Sequence, residues 1–170
     1  LVPDGVLRRY SRANLRKLEL SCSTFMMYLG LDKVYSLPHH TIVFAHEYRR
    51  NVEEIFERGV PSSDLSFYVR NASVTDPTLA PAGKSGLYVL VPVPNLRHGM
   101  NWAEQGPRYR DLAFKAMKDR LGLTDLADHI EVERIITPEN WQRDFSIYEG
   151  ATFNLAHNLR QMAFWRPRNQ

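Results

Sequence analysis

Paired glycines are missing from this chain of 170 residues. Its nine glycines never fall as Gly-x-Gly, so neither a dinucleotide fingerprint nor a Walker phosphate loop is present. Both motifs need glycine because backbone amides must approach phosphate oxygens closely. A nucleotide cofactor, if used, must be gripped mainly by another part of the protein. Cysteine is scarce too. Cys22 alone excludes an internal disulfide and a multi-cysteine metal site, and it fits a reducing compartment. His46-Glu47 has no second histidine four residues on, which excludes the zinc-protease helix. No apolar run approaches the roughly 20 residues that a membrane span needs. No internal repeat or low-complexity stretch is visible. The chain opens on Leu1 rather than Met, with no secretory pattern after it, so upstream material is expected to be missing.

What is present suits one packed domain. Hydrophobic residues make up 44% and charged residues 24%, the balance of a chain that buries a core. The net charge is +3, unevenly spread. Arg8, Arg9, Arg12, Arg16 and Lys17 crowd the start, and Arg160, Arg166 and Arg168 lie in a tail with no acid after Glu149. Two readings stay open: a solvated surface, or attraction to an anionic membrane at roughly 1 kcal/mol per basic residue. Nucleic-acid binding is not expected, because no recognition motif accompanies the charge and the aromatics do not interleave with a basic stripe.

Strands and helices alternate irregularly. Residues 17–29 are rich in β-branched, aromatic and aliphatic types and read as a long strand that Gly30 and Asp32 end. Residues 40–45 read as a short strand. Tyr48, Val52, Ile55 and Phe56 recur at helical spacing, and Gly59-Val60-Pro61 stops that helix. Strands follow over 65–69 and 86–93, separated by an ordered loop over 71–84. Pro92 and Pro94 lack amide donors and should sit at a strand end or an edge. A helix is expected over 102–121, a strand over 130–136, and a short helix started by Pro138. Leu155, Leu159 and Met162 would share one helical face. The fold expected is α+β: an antiparallel or mixed sheet with helices packed on one face.

Candidate chemistry is sparse. His39-His40 stands beside a strand, where neighbours point to opposite faces. That leaves a hydrogen-bonded core histidine or, alternatively, a proton-transfer group titrating near neutrality. Cys22, between Ser21 and Ser23, reads as a buried structural thiol, since no base or positive setting is apparent nearby. Asp76, before Pro77, reads as a backbone cap, with a general-base role as the alternative. The small residues around Phe153 over 150–155 suit either close approach to a flat ligand or a tight helix start.

Several strings are more specific together than alone. Ser21-Cys22-Ser23-Thr24-Phe25 is followed by Tyr28-Leu29-Gly30-Leu31, then Leu37-Pro38-His39-His40-Thr41-Ile42. Asn71-Ala72-Ser73-Val74-Thr75-Asp76-Pro77-Thr78-Leu79-Ala80-Pro81 comes next, then Tyr88-Val89-Leu90-Val91-Pro92-Val93-Pro94-Asn95. Gly150-Ala151-Thr152-Phe153-Asn154-Leu155-Ala156-His157 and Phe164-Trp165-Arg166-Pro167-Arg168-Asn169 close the series. In this order they resemble the bacterial-type phytoene desaturases of carotenoid biosynthesis, from about Tyr10 onward. The resemblance implies an FAD-dependent flavoprotein, whose N-terminal Rossmann segment and C-terminal glycine-rich segment hold the cofactor. This chain resembles the portion between them. Residues 1–150 would be the substrate-binding domain, and 151–170 would lead back toward the FAD-binding domain.

The implied reaction is dehydrogenation of a long-chain polyisoprenoid, with hydride passing to the flavin and a proton lost from the adjacent carbon. FAD would not be retained by this portion alone, which would be inactive by itself. The substrate calls for a long apolar tunnel. Phe25, Tyr88 and Leu90 are expected to line it. Phe153, Asn154, His157 and Arg166, with the 164–166 stretch, are expected near the flavin. His39, His40 and Asp76 are candidate proton acceptors. The implied location is cytoplasmic and peripheral to a membrane. A carotenoid isomerase or saturase of the same flavoprotein fold, or a non-enzymatic isoprenoid-binding module, would fit many of the same residues.

Overall fold

The computed structural model describes Val6 and residues 11–162. Within them the expected α+β architecture is found: one five-stranded antiparallel sheet and four α-helices. The elements are α1 (Arg12–Leu15), β1 (Ser23–Leu31), β2 (His40–Val43), α2 (Tyr48–Phe56), β3 (Phe67–Asn71), β4 (Ser85–Val93), α3 (Trp102–Leu121), β5 (Ile130–Ile136) and α4 (Pro138–Phe145). The strand order is β2-β3-β4-β1-β5, so β1 and β4 lie at the centre and β2 and β5 at the edges.

One face of the sheet carries the core. Phe25, Met27 and Leu29 of β1 pair with Val91, Val89 and Leu87 of β4, and Val69 of β3 continues the layer. All seven are at most 2% exposed. Helix α3 covers them with Trp102, Tyr109, Ala113 and Met117. Phe25 stacks on Trp102 at 5.9 Å and meets the edge of Tyr109 at 5.4 Å. Burial of each such large side chain contributes about 1.5–3 kcal/mol. The helix starts where Asn101 Oδ1 accepts from the amides of Ala103 and Glu104, and it ends at left-handed Gly122.

Helix α4 starts on a reciprocal cap between Thr137 and Asn140, with Pro138 in its first turn. It packs on the sheet's other side, where Trp141 Nε1 donates to Thr24 O at 2.9 Å. Gly150 then lets the chain pass close to this helix. Its φ is +62°, and a Cβ there would lie 2.5 Å from Pro138 O. Its own carbonyl accepts from Ser23 Oγ at 2.5 Å.

Three expectations are corrected. The first strand does not begin at Lys17: 12–15 form a short helix and β1 starts at Ser23. Gly30 lies inside β1 and marks a register shift against β5 rather than an end; a Cβ would meet Val132 Cβ at 3.4 Å. Residues 155–162 form no helix. Their backbone is spent on the 19–21 segment instead, through Ser21 N to Asn154 O and Ala156 N to Glu19 O, both 2.9 Å. Leu20 and Leu155 make an antiparallel bridge. Leu159, expected on a helical face, is 89% exposed.

Pro92 stands in β4 opposite Thr24, beyond the last pairing of β4 with β3 at Leu90. There β4 has only one neighbour, so a residue without an amide is tolerated.

Candidate functional site

The sheet's second face is the candidate site. Two rows of side chains cross it. The first runs Arg134, Tyr28, Tyr88, Arg70, His40, one residue from each strand in direct register. The second, two residues along, runs Ile136, Met26, Leu90, Tyr68, Ile42. Period-two alternation places both rows on the face away from α3. The first row is phenolic and cationic; the second is apolar apart from one hydroxyl.

Two open cavities lie on this face. One of about 350 Å³ is walled by α2 and the ends of β2 and β3, with Ile42, Phe44, Tyr48, Val52, Phe56 and Leu90 among its lining. The other, about 800 Å³, is lined by Tyr28, Tyr88, Arg70, Arg134, Val132 and Phe145, and reaches Leu79 in the loop after β3. Tyr88 belongs to the larger cavity; Tyr68 and Leu90 belong to the smaller. On β3 and β4 their boundary therefore falls between the two rows, whereas at the β5 edge Ile136 of the second row lines the larger cavity.

The first row is held by contacts of its own. Tyr28 and Tyr88 meet edge to face at 5.3 Å, and Tyr68 and Tyr88 at 6.1 Å. Burial first, then Tyr28 and Tyr68, raises the pKa of the Tyr88 phenol, which stays protonated. His40 Nδ1 lies 2.7 Å from Tyr68 OH. Arg70 Nε donates to His39 Nε2 at 3.2 Å, and His39 Nδ1 lies 2.8 Å from Thr75 Oγ1. A guanidinium only donates. Neutral His39 therefore accepts at Nε2 and carries its proton on Nδ1, facing Thr75. Desolvation, then His40 and Arg70, lower the pKa of His39, and its lone pair is already occupied. The segment leading to His39 is anchored from below: buried Asn71 donates through Nδ2 to Tyr35 O at 2.9 Å and to Leu37 O at 3.3 Å.

The structure sorts the residues expected from sequence. Tyr88 and Leu90 are on this face. Phe25 is not: it is 0% exposed and packed under α3. Its partner across the sheet is Val91, whereas Tyr88 faces Tyr28, so Phe25 has the opposite parity. His39 and His40 do not point to opposite faces. β2 begins at His40, His39 precedes the strand and escapes its alternation, and the rings stack at 4.2 Å. Neither histidine is buried in the core. Asp76 is the cap it was read as: its Oδ1 accepts from Thr78 N at 3.0 Å and Thr78 Oγ1 at 2.6 Å. These bonds, led by the hydroxyl, lower its pKa. Cys22 is buried, and desolvation pushes its thiol up to about 11, the state of an inert thiol.

Phe153, Asn154 and His157 lie at the far end of the chain from these rows. Phe153 is 45% exposed and His157 is exposed. Asn154 takes a left-handed conformation with φ 63°. Its amide donates to Ala151 O and its carbonyl accepts from Ser21 N, both at 2.9 Å. These residues form a turn that joins the 150–155 segment to the start of β1, not a helix start. Arg166, with the 164–166 stretch, lies outside the described residues.

Sequence reasoning missed Arg70, Arg134, Tyr28, Tyr68 and the aromatic lip of Phe44, Tyr48 and Phe56. The signal available was the pair of tyrosines at matching places in two central strands. Among the described residues, no helix is long and apolar enough to cross a membrane.

No family model matches the chain. Curated proteins do. The chain is 53% identical over all 170 residues to a 4,4'-diapophytoene desaturase (4,4'-diapolycopene-forming) of Methylomonas sp, covering 33% of that protein. It is 44% identical over 162 residues to an all-trans-zeta-carotene desaturase of Myxococcus xanthus, covering 30% of it. It is 37% identical over 160 residues to a phytoene desaturase (lycopene-forming) of Pseudescherichia vulneris, covering 32% of it. The chain thus spans about a third of the length of the curated relatives it matches.

Proposed function

We propose, from the premise that this chain is homologous over its whole length to carotenoid desaturases, that it is the substrate-side part of an FAD-dependent phytoene desaturase-like enzyme. The intact protein would introduce double bonds into an acyclic carotenoid precursor. The observation that carries the reading is the open sheet face. Its smaller cavity is walled by Ile42, Phe44, Val52, Phe56 and Leu90 and contains no carboxylate. A hydrocarbon offers nothing to hydrogen-bond, so apolar shape is the recognition available to it.

On this reading the chain's own residues bind and align the polyene and exclude water from it. Removal of hydrogen across a CH–CH bond needs an oxidant, and FAD is the one the resemblance implies. This chain carries no paired-glycine loop to cradle a phosphate. The flavin would therefore be held largely by residues of the intact protein that this chain does not include. Residues 1–150 would serve the substrate and 151–170 would lead toward the cofactor. The basic residues at both ends would dock the protein on the membrane from which the substrate is drawn. Equal binding to neutral and anionic vesicles would count against that docking.

The test is a product analysis of the complete reading frame that contains this chain. Supplied with phytoene or 4,4'-diapophytoene, it should give products with longer conjugation, seen as red-shifted absorbance after chromatography. An isomer without added double bonds, a more saturated product, or binding without conversion would overturn the reading in favour of isomerase, saturase or carrier respectively.

A further inference from the structure

The first cross-sheet row presents a problem for a purely hydrocarbon ligand. Arg70 and Arg134 stand on either side of Tyr28 and Tyr88, in one register line. Both arginines line the larger cavity, and neither lines the smaller. Pressing a hydrocarbon against a guanidinium or a phenol removes water without replacing its hydrogen bonds, and that desolvation is costly. A chain lying across Ile42, Tyr68 and Leu90 gains apolar contact until it meets this line of two phenols and two guanidinium groups.

The row is also braced in place. The edge-to-face tyrosine pair fills the central strands. His39 holds Arg70 from the side, and Thr75 and the His40 ring hold His39. From Tyr88 to Pro92 the strand runs four residues, roughly 13 Å. That stretch, bordered by α2, is the apolar floor left on the near side of the line.

We propose that the line Arg134–Tyr28–Tyr88–Arg70 is a length stop. It fixes where the end of a polyene seated against α2 comes to rest, and so sets which chain lengths are accepted. Tyr88 and Arg70 are specificity-determining residues, and His39 is a positioning residue that acts through Arg70. The proposal rests on the reading of this face as a polyene site, and names the device within it that selects length.

The test compares kcat/KM of the full-length enzyme for 4,4'-diapophytoene and for the longer phytoene, in wild type and in Tyr88→Ala, Arg70→Leu and His39→Ala. Replacing the polar line by apolar surface should move the longer-to-shorter ratio upward by roughly tenfold, the scale at which an apolar pocket discriminates by size. Arg70→Leu and Tyr88→Ala should act in the same direction, and His39→Ala in that direction by a smaller factor at an unchanged melting temperature. Variants that turn over both substrates with the wild-type ratio overturn the length stop while leaving the polyene site intact. A wild type that converts neither substrate overturns the site itself. Should Tyr88→Ala fail to fold, Arg70→Leu, at an exposed position, decides the matter.

Discussion

Phe25 and Tyr88 sit on paired central strands and belong to opposite sides of the sheet. The sequence marks both as large aromatics in apolar strands, and nothing local assigns their parity. β1 is apolar at even and odd positions alike, because its two faces are both largely covered around Met26 and Met27, at 1% and 0% exposure. Alternation therefore could not separate core from site. The consequence is testable. Phe25→Ala removes a ring held between Trp102 and Tyr109 and should cost about 3–5 kcal/mol in denaturant unfolding. It should act through stability and not through the choice of substrate.

A second residue-scale prediction concerns Asp125. Its carboxylate accepts from Lys33 and, at 2.8 Å, from Tyr35 OH. These bonds, Lys33 first, lower its pKa from 3.8 to about 2. A carboxylate whose folded pKa is depressed contributes stability above its unfolded value. That contribution is lost as pH falls from about 3.8 toward about 2. Asp125→Asn should flatten the acid limb of the stability curve in that window. A variant with an unchanged acid limb would show that the clasp adds nothing to folding. The cluster was invisible in sequence, since Lys33 and Asp125 stand 92 residues apart.

At the scale of elements, the sequence was readable where a local signal coincided with a tertiary one. Helix α3 and strand β5 have the expected limits because Asn101 and Gly122 bracket the helix and Ile130–Ile136 ends at a capped proline start. Residues 17–20 and 155–162 were misread because their composition favoured a strand and a helix, while their backbone bonds go to each other. Propensity cannot foresee a partner more than a hundred residues away. The α4 cap is the element whose local chemistry is most self-contained. Thr137→Ala removes the hydroxyl that accepts from Asn140 N and should cost about 1 kcal/mol, read as a lower melting temperature. Because α4 brings Phe145 to the larger cavity, the same variant should also loosen that wall.

At the scale of the whole molecule, α3 covers one side of the sheet, whereas α4 covers the other only in part. α3 closes the core face, whereas Ile42 and Val132 are each 65% exposed and Phe44 is 59% exposed. Such an exposed apolar face marks a surface that something covers. The edges give an unwanted partner little purchase: β2 is four residues long, and β5 carries the exposed charges of Glu131 and Arg134. Association of this chain with itself should therefore proceed face to face and not by strand addition. The expected outcome is concentration-dependent self-association in sedimentation velocity, weakened when Ile42→Lys and Phe44→Asp are combined. It should also weaken when a carotenoid precursor fills the face, whereas charges added on the β5 edge should have little effect. Loss of association on altering the edge, with the face variants unchanged, would place the contact on the strands and leave the open face without a self-complementary partner.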